Sequence, residues 1–365
     1  MIDPVIEEVR TRLLTAKLPR PWGPGVSETH LLVVEVHASD GSTGTGFSWT
    51  PTIGPQSVQA LLDNDIRAFA LGQPAHPAVL WDRLWTHLHE AGGGGVTSIA
   101  IGGLDLALWD LQARAAGRSV TSLIGRQHQA VTVYGSGVNL HYELDELTDQ
   151  AHRWVAAGYP GVKMKVGSPD LSRDVERVAA VRRIIGPGRK LMIDANQRWD
   201  LPSATRAMAA LEPFDLHWIE EPFRADDTAA YIAFRQRTRV PIAAGENVHH
   251  VYRFRDLITA GAIDVVQPNI IRVGGITPFL RIAQLARGFS LQLAPHLLTD
   301  LSAQLAAVLP ERVWVEEVED TSFATLGLVT EPTPVIRSGE QLIIDERPGL
   351  GFSFAPGAEQ PVPTP

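Results

Sequence analysis

The chain has 365 residues, 44% of them hydrophobic and 20% charged, the make-up of a globular protein with a large core. A net charge of −9 argues against a nucleic-acid or anionic-membrane surface, and the absence of cysteine excludes disulfides, thiolate metal sites and cysteine nucleophiles. No apolar run approaches the ~20 residues that span a bilayer, and MIDPVIEEVR lacks a basic segment leading into an apolar one. A cytoplasmic protein of two domains, or of one barrel with an elaboration, is therefore expected.

Residues 1–50 read as strands and turns: LLVVEVH is a buried strand, and Ala38-Ser39-Asp40-Gly41 turns into a second, GSTGTGFSW. PRPWGPG, just before them, is too rich in Pro and Gly for regular structure. Residues 56–91 look helical, and the run Gly92 to Gly95 ends that stretch. IAIGGLDLALWDLQARAAG then has apolar residues at helical spacing and a glycine after its last turn. Residues 1–125 are expected to form an α+β capping domain.

From about residue 130 short apolar strands alternate with amphipathic helices. The strands are VTVYG, GVKMKVG, KLMIDAN, HWIEEP, PIAAGEN, IDVVQPN, LQLAPH and RVWVEE, with helices such as LSRDVERVAAVRRIIG between them. Eight βα units favour a (β/α)8-type, TIM-like barrel over an open sheet, and no GxGxxG follows a strand. The barrel is assigned to residues 126–325. Residues 326–365 carry Pro-Gly turns and two short strands, QLIID and GFSF, and are expected to return to the cap.

In such a barrel the active site lies at the C-terminal strand ends. Asp194, Glu220 and Glu246 occupy three of them, 26 residues apart in each step. A strand–helix–strand repeat brings them to equivalent positions. Carboxylates that converge repel each other unless a cation holds them, and three oxygen donors suit a hard divalent ion, Mg²⁺ first among them. Lys163 and Lys165 lie two apart, hence on one strand face, opposite the apolar face of Val162, Met164 and Val166. The remaining strand ends supply Ser136, Asn196, Asn247, Asn269, His296 and Glu316.

Taken together, the helix LDLALWDL, the pair KMK, the motifs MIDAN, IEEP and GEN, QPN followed by RVGGIT, and PH resemble the enolase superfamily, mandelate racemase subgroup. The resemblance spans nearly the whole chain, and GEN at the third position favours this subgroup over that of muconate cycloisomerase. This superfamily is the standing example of a Lys or His base working with Mg²⁺ on an enediolate. The resemblance implies Mg²⁺ on Asp194, Glu220 and Glu246, Lys165 as the base that takes the α-proton of a carboxylate substrate, and Lys163 holding that carboxylate. Lys163 and the metal would lower the pKa of Lys165. Glu316 would hydrogen-bond the enediolate, and His296 would be the second acid or base. A homo-oligomer, from dimer to octamer, is also implied.

One position departs from the pattern. The subgroup pairs its seventh-strand histidine with an aspartate, and this chain has Asn269 there. Asparagine can accept a hydrogen bond and hold a tautomer but supplies no charge, which favours an acid role for His296 and β-elimination over two-base racemisation. The stretch from GVKMKVG to LAPH is most similar to acid-sugar dehydratases of the talarate/galactarate type. Asn196, Asn247, Asn269, Ser136, His249 and His250 are candidates to address substrate, with a lid around Trp22 and Trp49. A racemase, epimerase or cycloisomerase is the alternative, and a ligand-binding relative without turnover is the reading from another class.

Overall fold

A computed structural model describes residues 4–356. Strands β1 (Ile6–Lys17), β2 (Glu28–Ala38) and β3 (Thr43–Thr50) form an antiparallel meander. The helix Val96–Ala115 packs across it, and glycines allow the close approach: a Cβ on Gly103 would stand 2.5 Å from Ser48 Oγ and 2.8 Å from Val34 Cγ2. Leu31, Val33, Phe47, Leu104 and Leu108 fill the core between these layers.

All eight expected barrel strands form: β4 (Ala130–Ser136), β5 (Gly161–Lys165), β6 (Lys190–Asp194), β7 (Leu216–Glu220), β8 (Ile242–Ala244), β9 (Val265–Val266), β10 (Gln292–Leu293) and β11 (Trp314–Val318). They are parallel, in the order β10-β9-β8-β7-β6-β5-β4-β11. β9 and β10 are short because Pro268 and Pro295 follow them closely and cannot donate to a ladder. At the seam between β11 and β10, Leu297 N–H donates to the Glu316 carboxylate at 3.0 Å and the Thr299 hydroxyl donates to the Glu316 carbonyl at 2.8 Å. Crossover helices are started by side chains. Asp170, Asp200 and Asp227 accept the backbone N–H of Ser172, Ser203 and Ala230, each cap contributing ~1 kcal/mol. Among the described residues, no helix is long and apolar enough to cross a membrane.

The C-terminal segment divides its contacts. β12 (Val335–Ser338) and β13 (Gln341–Ile344) form a hairpin, and β13 pairs antiparallel with β4, so this part joins the barrel instead of the cap. The hairpin follows β11 directly, where a regular barrel would have an eighth helix. The chain meets the cap on both sides of the hairpin: before it Phe323 meets Phe47 edge-on at 5.3 Å, and beyond it Leu350 N–H donates to buried Asp110 at 2.7 Å and Phe354 meets Phe47 edge-on at 5.5 Å. GFSF contributes one bridging residue, Phe354, and no strand.

Cap and barrel are also joined at the helix Ile276–Gly288, whose N-terminal groups are capped from the other domain. Asp105 of the cap accepts Thr277 N–H at 2.9 Å and the Thr277 hydroxyl at 2.6 Å. Gly275 makes room, since a Cβ there would stand 2.4 Å from Asp105 Oδ2. Trp81 and Ser98 donate to the carbonyls of Gly274 and Arg272 at 2.8 and 2.7 Å. Burial pushes the Asp105 carboxyl up to about 7, with the Thr277 hydrogen bonds opposing it. A folded-state value above the unfolded one means that the stability contributed by the protonated group is complete below about pH 4 and is lost as pH rises through about 7. Asp105→Asn removes that titration, so its melting temperature should change less between pH 4 and 7 than the wild type's. Parallel pH profiles for the two proteins would show that Asp105 is ionised throughout that range.

Candidate active site

The barrel interior is built in two layers by the period of two along each strand. Tyr134, Met192, Trp218, Ala243, Val265 and Ala294 form an apolar cluster on the axis. Two residues further along the same strand faces stand Ser136, Asp194, Glu220, Gln267 and His296, and Glu316 stands two beyond Trp314. Gly161 has no side chain in the lower layer because Trp314 fills the space, 2.8 Å from where a Cβ would lie. Lys163 and Lys165 then continue β5 into the polar layer, both buried. Val162, Met164 and Val166 pack in the outer core, so the lysine face is the inward one, as the alternation predicts.

Asp194, Glu220 and Glu246 each place a carboxylate oxygen within 4.8 Å of the other two. Lys163 Nζ is 2.5 Å from Glu220 Oε1, 2.8 Å from Glu316 Oε1 and 3.8 Å from Asp194 Oδ2, while Lys165 Nζ is 2.5 Å from Asp194 Oδ2. Burial acts most strongly and would lower the pKa of Lys165, but Asp194, Glu246 and Glu220 together outweigh it and the amine is held above its ordinary value. Lys163 acts in the lowering direction, and the lowering expected from the sequence is ascribed to it together with the metal that Asp194 would share. Burial also disfavours the charged form of Glu316, yet Lys163, His296 and Lys165 together prevail and bring it down to about 2. Glu246 Oε2 is buried with no well-aligned hydrogen bond, its near polar neighbour being His296 Nε2, and a carboxylate oxygen so placed fits a hard cation in the acidic triad.

His296 Nε2 lies 2.9 Å from Glu246 Oε2 and 3.9 Å from Glu316 Oε2. Asn269 is within reach of its other nitrogen, at 3.1 Å, but not as the acceptor expected. Asn269 Oδ1 already accepts the N–H groups of Ile271 and Arg272, both at 3.1 Å. The amide –NH₂ is left to face the ring, so it donates to His296 Nδ1 and the imidazole hydrogen sits on Nε2, toward the carboxylates. Leu297 and Leu298, which follow, have φ of 54° and 49°, a strained region for such side chains. Asn196, Gln197 and Glu221 are left-handed too, so backbone strain concentrates just beyond the strand ends.

The other expected residues divide into those open toward the mouth and those engaged within the protein. Ser136 Oγ is buried without a partner beside Lys163 in the ladder. Asn196 donates its N–H to Asp194 Oδ1 at 2.8 Å and its amide to Oδ2 at 3.3 Å. Asn247 has both ends of its amide engaged: it donates to Glu221 at 2.9 Å and accepts from Arg272 at 2.6 Å. His250 caps the helix Val251–Thr259, accepting Arg253 N–H at 3.3 Å. His249 is half-buried, and burial first, then Arg272, takes it down to about 4. Trp22 and Trp49 meet edge to face at 6.5 Å, and the Arg272 guanidinium lies 5.6 Å from the Trp49 ring.

Three residues were not singled out from the sequence. Gln267 donates to Glu220 Oε2 at 2.6 Å, and its place two before Asn269 on one strand face was the available signal. Glu221 is fully buried, and burial holds its carboxyl well above the usual range. Arg272 reaches the Glu246 carbonyl at 3.0 Å from a loop, where no period points to it.

Known proteins share this arrangement. Residues 17–125 match the mandelate racemase/muconate lactonizing enzyme N-terminal domain, and residues 146–358 match the family described as enolase C-terminal domain-like. The chain belongs to the enolase superfamily. It is 36% identical to the 3,6-anhydro-alpha-L-galactonate cycloisomerase of Streptomyces coelicolor, over 95% of this chain and 96% of that protein. It is 34% identical to the L-talarate/galactarate dehydratase of Salmonella typhimurium, over 92% and 83%. The crystal structure of L-talarate dehydratase from Polaromonas sp. JS666 with Mg and L-glucarate superposes with a TM-score of 0.86 at 37% identity, covering 96% of this chain and 95% of that one.

The protein is thus an enzyme of this superfamily, and Mg²⁺, bound in its solved relatives, is its cofactor. Asp194, Glu220 and Glu246 are the residues that would hold it. Adding Mg²⁺ to metal-depleted protein should raise the melting temperature with concentration, the stabilisation reaching about 2.7 kcal/mol when free Mg²⁺ is a hundred times Kd. Glu246→Gln should remove most of that rise. The same rise in both proteins would take Glu246 out of the ligand set.

Proposed function

We propose that the enzyme dehydrates a sugar acid, an aldonate or aldarate, to a 2-keto-3-deoxy acid by removing the α-proton and eliminating the β-hydroxyl. The observation that carries this reading is the ring of His296, whose Nδ1 accepts from Asn269 and whose Nε2 carries the hydrogen toward the carboxylates. A base on that face would need Nε2 free and the hydrogen on Nδ1, against an amide –NH₂. A donor on that face needs no rearrangement.

Bound by the acidic triad, Mg²⁺ supplies positive charge against the substrate carboxylate, whose second negative charge develops as the α-proton leaves. Lys163 presents a buried ammonium beside Glu220 and Glu316 and holds the same carboxylate. The unpartnered Ser136 hydroxyl and Asn196 add hydrogen bonds to it or to the α-hydroxyl. The Lys165 amine takes the α-proton, and the C–H pair passes into the enediolate. As that pair forms the C2–C3 double bond, the C3–O bond breaks and the departing oxygen receives the Nε2 proton of His296 as water forms. Glu316 stands beside His296, 3.9 Å away, and as a carboxylate would accept from a hydroxyl of the enediolate. Product enol becomes the keto acid by taking a proton at C3 and losing the one on its C2 hydroxyl, while Lys165 releases to solvent the proton it took and His296, left one proton short, regains one from solvent.

A second reading has a specific support. If the departing oxygen is tethered to the substrate, as in an anhydro sugar or a lactone, the same elimination opens a ring and counts as an isomerisation. The cycloisomerase relative covers nearly the whole chain. Mass spectrometry of the products from open-chain, anhydro and lactone acids separates the two, because only dehydration loses one water.

Lys165→Ala should abolish turnover while substrate remains bound through Lys163 and the metal. Near-normal rates in that variant, with loss in Lys163→Ala, would reverse the two roles. In D₂O, only the α-epimer presented to Lys165 should exchange its α-proton. Asn269→Asp should switch on slow exchange from the second face, by giving Nδ1–H an acceptor. Comparable exchange of both epimers by the wild type would favour a racemase.

A further inference from the structure

Lys165 lies two residues beyond Lys163, the last residue of β5 that pairs with β4, so its backbone N–H points past the end of that strand. A side chain takes the place of the missing ladder: Lys165 N–H donates to Asn139 Oδ1 at 2.9 Å. Asn139 donates in turn to Gln150 Oε1 at 2.8 Å, and Gln150 donates to Glu319 Oε2 at 2.7 Å. Asn139 and Gln150 are both fully buried, and both polar ends of the Gln150 amide are engaged in the relay. Arg177, itself buried, fixes the Asn139 carbonyl at 2.7 Å. Arg153 closes the outer end with a forked pair to Glu319 at 2.7 and 3.0 Å. Next to Gln150 and Glu319 is a cavity of about 20 Å³, lined from the cap by Pro19, Arg20 and Trp22, and Arg20 lies 5.3 Å over the Tyr142 ring.

Nothing in the chemistry assigned above uses Asn139 or Gln150, yet burying two side-chain amides is costly unless each polar atom is satisfied. A merely adequate core would place apolar residues there. We propose that Asn139 and Gln150 are positioning residues that fix the backbone of Lys165, and with it the placement of its amine, through a hydrogen-bonded relay anchored at Glu319 and Arg153 under the cap loop. The relay acts on geometry alone: no proton moves along it, since every link is an amide or backbone donor with a committed acceptor.

The proposal rests on Lys165 as the base, and its test has a readout that does not. Gln150→Met keeps the volume and breaks the relay. It should lower kcat roughly tenfold to a hundredfold, the scale of a small misplacement, with KM within about twofold. The Lys165 amide should exchange with D₂O correspondingly faster, while the Mg²⁺-induced rise in melting temperature stays as in the wild type. Asn139→Leu should behave in the same way. Asn139→Asp, which keeps an acceptor for Lys165 N–H but sets a second acceptor against Gln150 Oε1, should recover only part of the rate lost in Asn139→Leu. Gln150→Met decides the matter should Asn139→Leu fail to fold. Wild-type kcat together with wild-type exchange at the Lys165 amide in Gln150→Met would overturn the proposal and leave the relay a matter of stability. If Lys165→Ala instead keeps its turnover, the assigned function falls, and amide exchange still shows whether the relay holds Lys165.

Discussion

Charge balance in a buried cluster governs this molecule. Lys163 and Lys165 face Asp194, Glu220, Glu246 and Glu316, all six side chains buried above the apolar layer of the barrel. Two ammonium groups against four carboxylates leave two negative charges, which is the charge of one divalent cation. Burial of an uncompensated carboxylate is costly, and here it shows as Glu220 pushed up to about 7 by desolvation despite its contact with Lys163. A divalent cation in the acidic triad would offset that charge, which couples metal binding to the stability of the barrel mouth.

The surroundings follow from holding such a cluster in fixed geometry. Most strands present one apolar and one polar residue to the axis, so the charges rest on a packed floor and cannot sink to relieve repulsion. Beyond the strand ends the chain turns sharply through left-handed residues, and side chains replace the ladder that has run out: Asn139 for Lys165, Glu316 for Leu297. The cap contributes at a distance. Asp105 caps the barrel helix that follows the Asn269 loop, so the backbone N–H groups that orient the Asn269 amide lie in a segment clamped from both sides. A cap that shifted would be felt at His296 without touching it.

Strand-borne features were legible in the sequence, and loop-borne ones were not. Period-two alternation put Lys163 and Lys165 inward, and the equal spacing of Asp194, Glu220 and Glu246 placed the metal ligands at matching strand ends. Glu221 and Arg272 escaped because their side chains turn inward from irregular backbone, where no period applies. Asn269 was read in the right place with the wrong polarity. An amide's orientation depends on which donors face it, and here those are two backbone N–H groups whose direction is set by the turn Asn269–Gly274. Residues 335–344 joined the barrel against expectation because β4 offers its exposed N-terminal end to β13, a vacancy that no local pattern in QLIID announces.

That polarity changes what the site can do more than the missing charge does. An aspartate at position 269 would accept from Nδ1–H and leave Nε2 free to take a proton from substrate. The amide –NH₂ imposes the other tautomer, so the two sides of the opening become unequal: an amine on one, a hydrogen-bearing nitrogen on the other. A symmetric inversion of configuration requires interchangeable partners, each able to take and to give. Elimination requires a taker and a giver on a fixed assignment, whether the leaving oxygen departs as water or stays tethered as part of an opened ring. On the function proposed above, the asymmetry of one hydrogen bond, fixed by a backbone turn, would favour elimination over racemisation and leave the choice between its two forms to the shape of the substrate.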